Sequence, residues 1–196
     1  KRMHRENPAT YQRVRDYLQH IVPDIEEVEH KFYGPRETLE FQQASQSKKP
    51  SWRFHAANMS DGTLRSLGVL TALFHPHFKD GGAIPFVGIE EPEITIHPGA
   101  ASVIMDALIE AAGGAQVVAT THSPDLLDHP DVKSDWILAV TKEMGNTQIA
   151  AGDDASVKAM KEALYTPGEL LRVGQLSPNK AAWPTSITDS DLFESL

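Results

Sequence analysis

Ala83-Ile84-Pro85-Phe86-Val87-Gly88-Ile89-Glu90-Glu91-Pro92-Glu93 is the stretch that decides the fold: an apolar run rises to two adjacent carboxylates and is cut off by a proline. A short apolar run between breakers predicts a strand buried on both faces, as in a parallel sheet. The carboxyl ends of such strands are where α/β sheets hold ligands. Two carboxylates there suit a hard cation, a water to be activated, or both. The alternative is that Glu90 and Glu91 merely solvate a strand end, and the flanking segments have to decide between the two.

Downstream, Pro98 suits the first turn of a helix running to about Ala112, with Gly113-Gly114 as a left-handed stop. Gln116-Val117-Val118-Ala119-Thr120 is a second strand of the buried type, ending at Thr121-His122-Ser123-Pro124. Ser123 and Pro124 read as the cap and first residue of a short helix. Strand, helix, strand, helix implies a βαβ unit and a parallel sheet. Farther on, Trp136 to Val140 and Thr147 to Ala151 flank Gly145-Asn146 as a hairpin. Asp154 is placed to cap a helix to Leu164, and Thr166-Pro167 to open another through Arg172. Ser177 to Leu196 is polar and reads as a loosely held tail, which leaves residues 1–176 as the body of the chain.

Upstream, Asn58-Met59-Ser60-Asp61-Gly62-Thr63 leads into a helix with Leu64, Leu67, Leu70, Leu73 and Phe74 along one side. Nearer the start, Val14, Tyr17, Leu18 and Ile21 mark a helix that Asn7-Pro8 begins. Val28, Phe32 and Tyr33 lead into the turn Gly34-Pro35, with Leu39 and Phe41 beyond it, so two antiparallel strands are expected. Gln42 to Ser51 reads as a polar, mobile loop and Trp52 to Ala57 as extended chain. The expected fold class is α/β: a partly parallel sheet with flanking helices and an antiparallel N-terminal portion. The first residues lie within an apparent helix, which fits a piece of a longer protein.

A length of 196 residues allows one sizeable core or a domain with an appendage, and 40% hydrophobic with 23% charged residues is an ordinary globular composition. The absence of cysteine excludes disulfides and thiolate-held zinc and fits a reducing, cytoplasmic setting. Neither a signal-peptide pattern nor an apolar run of bilayer length occurs, so no membrane partner is expected. A formal net charge of -9 argues against broad coating by nucleic acid. The Lys- and Arg-rich stretch from Lys1 to Arg15 reads as a solvated helix face.

Three segments carry chemistry. In Ser60-Asp61-Gly62-Thr63 the glycine lets backbone approach a ligand, the following helix offers free N–H groups to an anion, and Ser60 and Thr63 add hydroxyl donors. Ser-Asp-Gly before a helix is also a common cap. In Ile89-Glu90-Glu91-Pro92 neighbouring residues on a strand face opposite ways, so a division of labour is expected. Glu90 would face Mg²⁺, through water, while Glu91 would orient and polarise an attacking water. His122, at the tip of the next strand, can reach a phosphate oxygen. Other chemistries fail: Gly-x-Ser-x-Gly is missing, and His75-Pro76-His77 has no supporting carboxylate cluster.

Together these segments resemble the C-terminal half of an ABC-type ATPase head of the RecF/SMC-like branch, an AAA family ATPase related to the OLD proteins. Met59-Ser60-Asp61-Gly62-Thr63 is similar to the signature motif, and Phe86 to Glu93 to Walker B with its catalytic glutamate. Ile96-His97-Pro98 falls where that branch has its D-loop, and Val117 to Pro124 resembles the switch-histidine strand. A weaker resemblance continues through Gly168-Glu169-Leu170-Leu171-Arg172. Glu90 stands where an aspartate is usual, Asp61 where the signature has glycine, and His97 where transporter D-loops have aspartate. No Gly-x-x-x-x-Gly-Lys-Ser/Thr occurs, so the Walker A motif is absent from this sequence.

The resemblance implies a P-loop NTPase fold and one lobe of a composite, dimerisation-dependent ATPase. Its catalytic residues would be Glu91 and His122, its nucleotide contacts Ser60, Asp61, Gly62 and Thr63, its D-loop residue His97 and its metal ligand Glu90. Mg²⁺ and ATP are expected only in the complete two-lobe site, so the chain alone would not turn over. Implied partners are the N-terminal Walker A lobe of the same protein, a second head in a homodimer, and DNA as a further candidate. The relatives work in DNA repair, chromosome maintenance or phage defence. Some carry a Toprim nuclease, for which Trp136 to Arg172 leaves little room. The competing expectation is a nucleotide-responsive interaction module without turnover of its own.

Overall fold

The computed structural model describes residues 2–45, 51–75, 86–143 and 145–180. The chain is α/β, with one parallel and two antiparallel sheets, and divides into two compact units, Lys1–His122 and Ser123–Leu196.

The first unit opens with α1 (Arg2–Glu6) and α2 (Pro8–Ile21). Asn7 caps α2 as its sequence implies, accepting from the Thr10 N–H at 3.2 Å. Strands β1 (Ile25–Tyr33), β2 (Arg36–Gln43) and β3 (Trp52–His55) form an antiparallel sheet in that order. Gly34, at φ 61, makes the first turn. Because β2 continues through Gln42 and Gln43, the polar loop begins later than expected, and residues 46–50 of it lie outside the described residues. The Tyr11 hydroxyl of α2 shares its one proton between a Glu27 carboxylate oxygen at 2.5 Å and the Val28 carbonyl at 2.7 Å, tying helix to sheet. Burial and that carboxylate push the phenol above its ordinary range.

A short 3-10 turn at Ala56–Asn58 leads into α3 (Asp61–Leu73). Its buried face is Thr63, Ser66, Val69, Leu70 and Leu73, rotated from the expected leucine line. Ser66 can face the core because its hydroxyl donates to the Gly62 carbonyl at 2.8 Å. Leu64 and Leu67 instead line a groove of about 670 Å³ with Val14, Leu18 and Leu39.

Strand β4 (Phe86–Glu90), a 3-10 turn at Pro98–Ala100, helix α4 (Ala101–Ala112) and strand β5 (Gln116–Thr120) form the expected βαβ unit. The two strands are parallel, with Phe86 opposite Gln116 and Glu90 opposite Thr120. Helices α3 and α4 cover one side of this pair. The other side is open: Phe86 is 52% and Val118 45% exposed. Burial on both faces, expected from the apolar runs, is therefore not observed. An apolar run records what a strand can bury, whereas the described residues supply cover for one face only. Helix α4 also ends without a left-handed residue: Gly113 stays helical at φ -66, and successive N–H groups of Gly113, Gly114 and Ala115 close the turn onto Glu110 and Ala111. Residues 76–85, which include His77 and the Ala83-Ile84-Pro85 lead-in, lie outside the described residues.

The second unit holds α5 (Pro124–Leu127), the hairpin β6 (Leu138–Glu143) and β7 (Asn146–Ala151), α6 (Asp154–Lys161) and α7 (Pro167–Arg172). Ser123 caps α5 as expected. Trp136 belongs to a 3-10 turn rather than to the hairpin, and Asn146 pairs with Glu143, so the turn lies one residue earlier than expected. Asp153, not Asp154, caps α6, accepting from Ser156 at 2.8 Å, and the helix stops at Lys161 before Ala163 takes φ 53. Thr166 and Glu169 form a full capping box on α7. Asp128 accepts from the Gly168 N–H at 2.8 Å and from Arg172 at 2.9 Å, locking α5 to α7. Asp153 and Asn179 donate from their backbone N–H groups to the Ser177 and Ala151 carbonyls, so this stretch is held to β7, while 181–196 lies outside the described residues.

The rotation of α3 can be measured. Leu70, fully buried, should lose about 2–5 kcal/mol of unfolding free energy as Leu70→Ala in urea titrations, and Leu67→Ala, at the groove wall, distinctly less. Equal losses would place the leucine line back in the core.

Candidate functional site

The first turn of α3 is built by Ser60, which stands at φ -66, ψ 150 and accepts from the Thr63 N–H at 3.2 Å. The two hydroxyls also bond each other at 2.8 Å, so Ser60 and Thr63 are brought together as one polar corner. Thr63 is buried, while Ser60 and Asp61 are exposed. Asp61 in the first turn complements the helix dipole. Gly62 does something the sequence did not announce. A Cβ built there would lie 2.3 Å from the Thr95 carbonyl oxygen. The helix start is thus pressed onto the loop that follows β4, and only glycine permits the approach.

That loop is sharply folded. Glu91 and Thr95 both take positive φ, 43 and 65, on either side of the buried Pro92. Each left-handed residue costs on the order of 1–2 kcal/mol and needs fixed surroundings. The Glu91 N–H is held by the Thr120 carbonyl of β5 at 2.9 Å. On the opposite side one nitrogen of Arg65, from α3, donates to the carbonyls of Glu90 at 2.7 Å and Glu91 at 3.0 Å. Glu93 accepts a very short hydrogen bond from the Thr121 hydroxyl. His97 caps the following 3-10 turn, its Nδ1 accepting from the Gly99 N–H at 3.1 Å, and its side chain is exposed.

Parallel pairing sets Glu91 and His122 beside one another at the carboxyl ends of β4 and β5. Their nearest atoms, Oε1 and Nε2, are 3.8 Å apart, with Glu91 28% and His122 88% exposed. That distance is too long for a direct hydrogen bond and suits two groups facing one water or one ligand oxygen. Glu90 is exposed on the open face of the sheet, in register with Thr120, and its carboxylate has no partner among the described residues. A single free carboxylate beside a hydroxyl fits Mg²⁺ only as a shared ion that keeps waters and draws other oxygens from its ligand.

All the sequence-predicted residues but His97 therefore fall into two clusters of one unit, Ser60–Thr63 and Glu90–Glu91–His122, bridged by Arg65 and by the Gly62–Thr95 contact. His97 stands apart on its 3-10 turn. Arg65 and Thr95 were missed. The available signal for Arg65 was that it is the one basic residue in a 13-residue helix.

Residues 5–128 match the family described as "AAA domain, putative AbiEii toxin, Type IV TA system". The chain belongs to that family. Among curated proteins none matches it. Of solved structures, it is similar to a chain from work on ATP-driven dimerization and DNA-stimulated activation of SMC ATPases, at 14% identity and TM-score 0.55 over 83% of this chain and 96% of that one. It is similar also to the Smc head with a coiled coil and joint from Pyrococcus yayanosii, at 15% identity and TM-score 0.57 over 83% of this chain. A third is the Smc head with an extended coiled coil bound to the C-terminal domain of ScpA from Pyrococcus furiosus, at 15% identity and TM-score 0.56 over 83% of this chain. The chain spans 30% and 39% of those two heads. At such identities the likeness establishes the fold, that of an SMC-type P-loop ATPase head. No helix among the described residues is long and apolar enough to cross a membrane.

Gly62→Ala tests the packing of the AAA-domain chain at this point. A methyl group at 2.3 Å from a backbone oxygen must displace the helix or the loop. Thermal unfolding should show a loss of about 1–3 kcal/mol, against a small gain for Gly68→Ala, which meets nothing within 4 Å in the same helix.

Proposed function

We propose that this chain binds and hydrolyses ATP as the C-terminal lobe of a composite, dimerisation-dependent ATPase head of the RecF/SMC-like, OLD-related branch. The observation that carries the reading is the juxtaposition of Glu91 and His122 at 3.8 Å, at the ends of adjacent parallel strands. Glu91 is the residue to orient and polarise the attacking water. Its backbone is fixed from both sides, so only the carboxylate remains to adjust. His122, mostly exposed, reaches outward to a γ-phosphate oxygen. Glu90 would hold Mg²⁺ through water, and the ion would supply charge neutralisation at the phosphates. Ser60, Gly62 and Thr63, with Asp61 beside them, would close over the nucleotide bound by the opposite head, and His97 would stand at the dimer seam.

The open face of the β4–β5 pair supports a second lobe. Parallel strands are ordinarily covered on both sides, and a two-stranded sheet is marginal by itself. An N-terminal lobe bearing Walker A would complete the sheet and cradle the β- and γ-phosphates. The SMC proteins it resembles are described by ATP-driven dimerization and DNA-stimulated activation, and a homodimer with DNA as the stimulating ligand is the matching proposal here. The setting would be cytoplasmic, in chromosome maintenance, repair or phage defence.

In the complete two-lobe protein Glu91→Gln should retain ATP binding and lose about 10²–10⁴-fold in turnover. Undiminished phosphate release by that variant would reject the role. Calorimetric titration of ATP·Mg into residues 1–196 alone should give no tight binding, and tight binding there would contradict the shared site.

A further inference from the structure

Glu91 is held by more than the strand it terminates. Consecutive carbonyls of an extended strand point to opposite sides, so one donor cannot ordinarily serve both. Here the carbonyls of Glu90 and Glu91 converge on a single nitrogen of Arg65, at 2.7 and 3.0 Å. They converge because the chain leaves the extended conformation at Glu91, where φ is 43. That terminal nitrogen carries two N–H bonds, one for each carbonyl. The Arg65 Nε is buried and has no partner among the described residues. The only hydrogen bonds of the guanidinium among the described residues are thus the two made to this turn.

We infer that Arg65 is a positioning residue for Glu91: by gripping the two carbonyls it holds the left-handed turn that aims the carboxylate toward His122. The inference rests on the proposed role of Glu91 in activating water. The contact lies entirely within one head, on the same helix whose Ser60–Thr63 corner would face the nucleotide of the other. Without the guanidinium the Glu90 carbonyl loses its side-chain donor. The turn keeps the Thr120 contact at the Glu91 N–H, 2.9 Å long, and the local bond from the Ile94 N–H to the Glu91 carbonyl at 3.1 Å. The Glu91 side chain then samples other directions. Misplacement of a reacting group by about 1 Å costs roughly 100-fold, whereas nucleotide affinity, set by phosphate contacts elsewhere, is untouched.

The test uses the complete two-lobe protein, with a fluorescent ATP analogue for binding and single-turnover phosphate release for chemistry. Arg65→Met keeps the length of the stem and removes both donors. It should bind the analogue within about twofold of the parent and hydrolyse ATP about 10- to 100-fold more slowly. Arg65→Lys, whose ammonium can reach a carbonyl, should recover part of that rate at the same affinity. It also serves as the folded reference if the methionine variant melts early. Parental turnover in Arg65→Met beside an inactive Glu91→Gln overturns this inference alone. Equal losses of affinity and rate in both Arg65 variants overturn it as well, since they mark a purely structural residue. Parental turnover in Glu91→Gln overturns the underlying reading and this one with it.

Discussion

Parallel pairing of β4 with β5 is the constraint on which the candidate site depends. It sets Glu90 opposite Thr120 and so delivers two loop tips, about 30 residues apart in sequence, to one end of one sheet. Antiparallel pairing of the same two segments would send Glu91 and His122 to opposite ends. The crossover helix α4 enforces the direction, because parallel neighbours need a connection that returns over the sheet. Small residues let it lie close: Ala100, Ala101, Ala107 and Ala111 are all buried with Ile104 and Leu108. What reads as a run of unremarkable alanines is the surface that fixes where the carboxylate and the imidazole meet.

The turn after β4 shows how this framework is spent. Two left-handed non-glycine residues within five positions are costly, and each is balanced by a contact from another element. Thr95 is met by the first turn of α3 at Gly62, and Glu91 by Arg65 and by β5. The start of α3 and the turn are consequently one packed object. A change in either displaces the other, because a close-packed contact has no slack to absorb it.

The sequence carried this object in pieces. The main helices and strands and their order were legible, because apolar runs, Asn7-Pro8, Ser123-Pro124 and Thr166-Pro167 each have a local cause. The 3-10 turns at Ala56–Asn58 and Ser134–Trp136, by contrast, stand where extended chain was expected. The pairing of Glu91 with His122 was legible too, since both lie at strand ends of a βαβ unit and such ends lie on one side. What was not legible depends on contacts between elements. The buried face of α3 turned because Ser66 satisfies its hydroxyl within the helix, which no count of leucines reveals. Beyond being the one basic residue of α3, Arg65 had no sequence signal of its own role, because its partners are carbonyls of another element. The open face of β4 and β5 defeated the apolar-run rule for the opposite reason: a strand records what it could bury, and the cover belongs to whatever packs on it.

Electrostatics would give the proposed cover a character. The proposed site is ringed by Asp61, Glu90, Glu91 and Glu93, and its one arginine is committed to backbone carbonyls. Among the described residues, the histidines His122 and His97 are the other side chains of the proposed site that become cationic on protonation. A nucleoside triphosphate brought to such a rim meets repulsion at every carboxylate. At about 4 Å an unscreened pair near a protein surface is worth several kcal/mol. In the proposed two-lobe site the balance would come from a divalent ion, from the donors at the start of α3 of the opposite head, and from cations on the lobe proposed to cover the open sheet. On this reading the acidity that makes Glu91 useful to a water molecule also makes the chain dependent on a second, basic surface. Polyphosphate would then act as the adhesive between the two, and its hydrolysis would remove the charge that holds them.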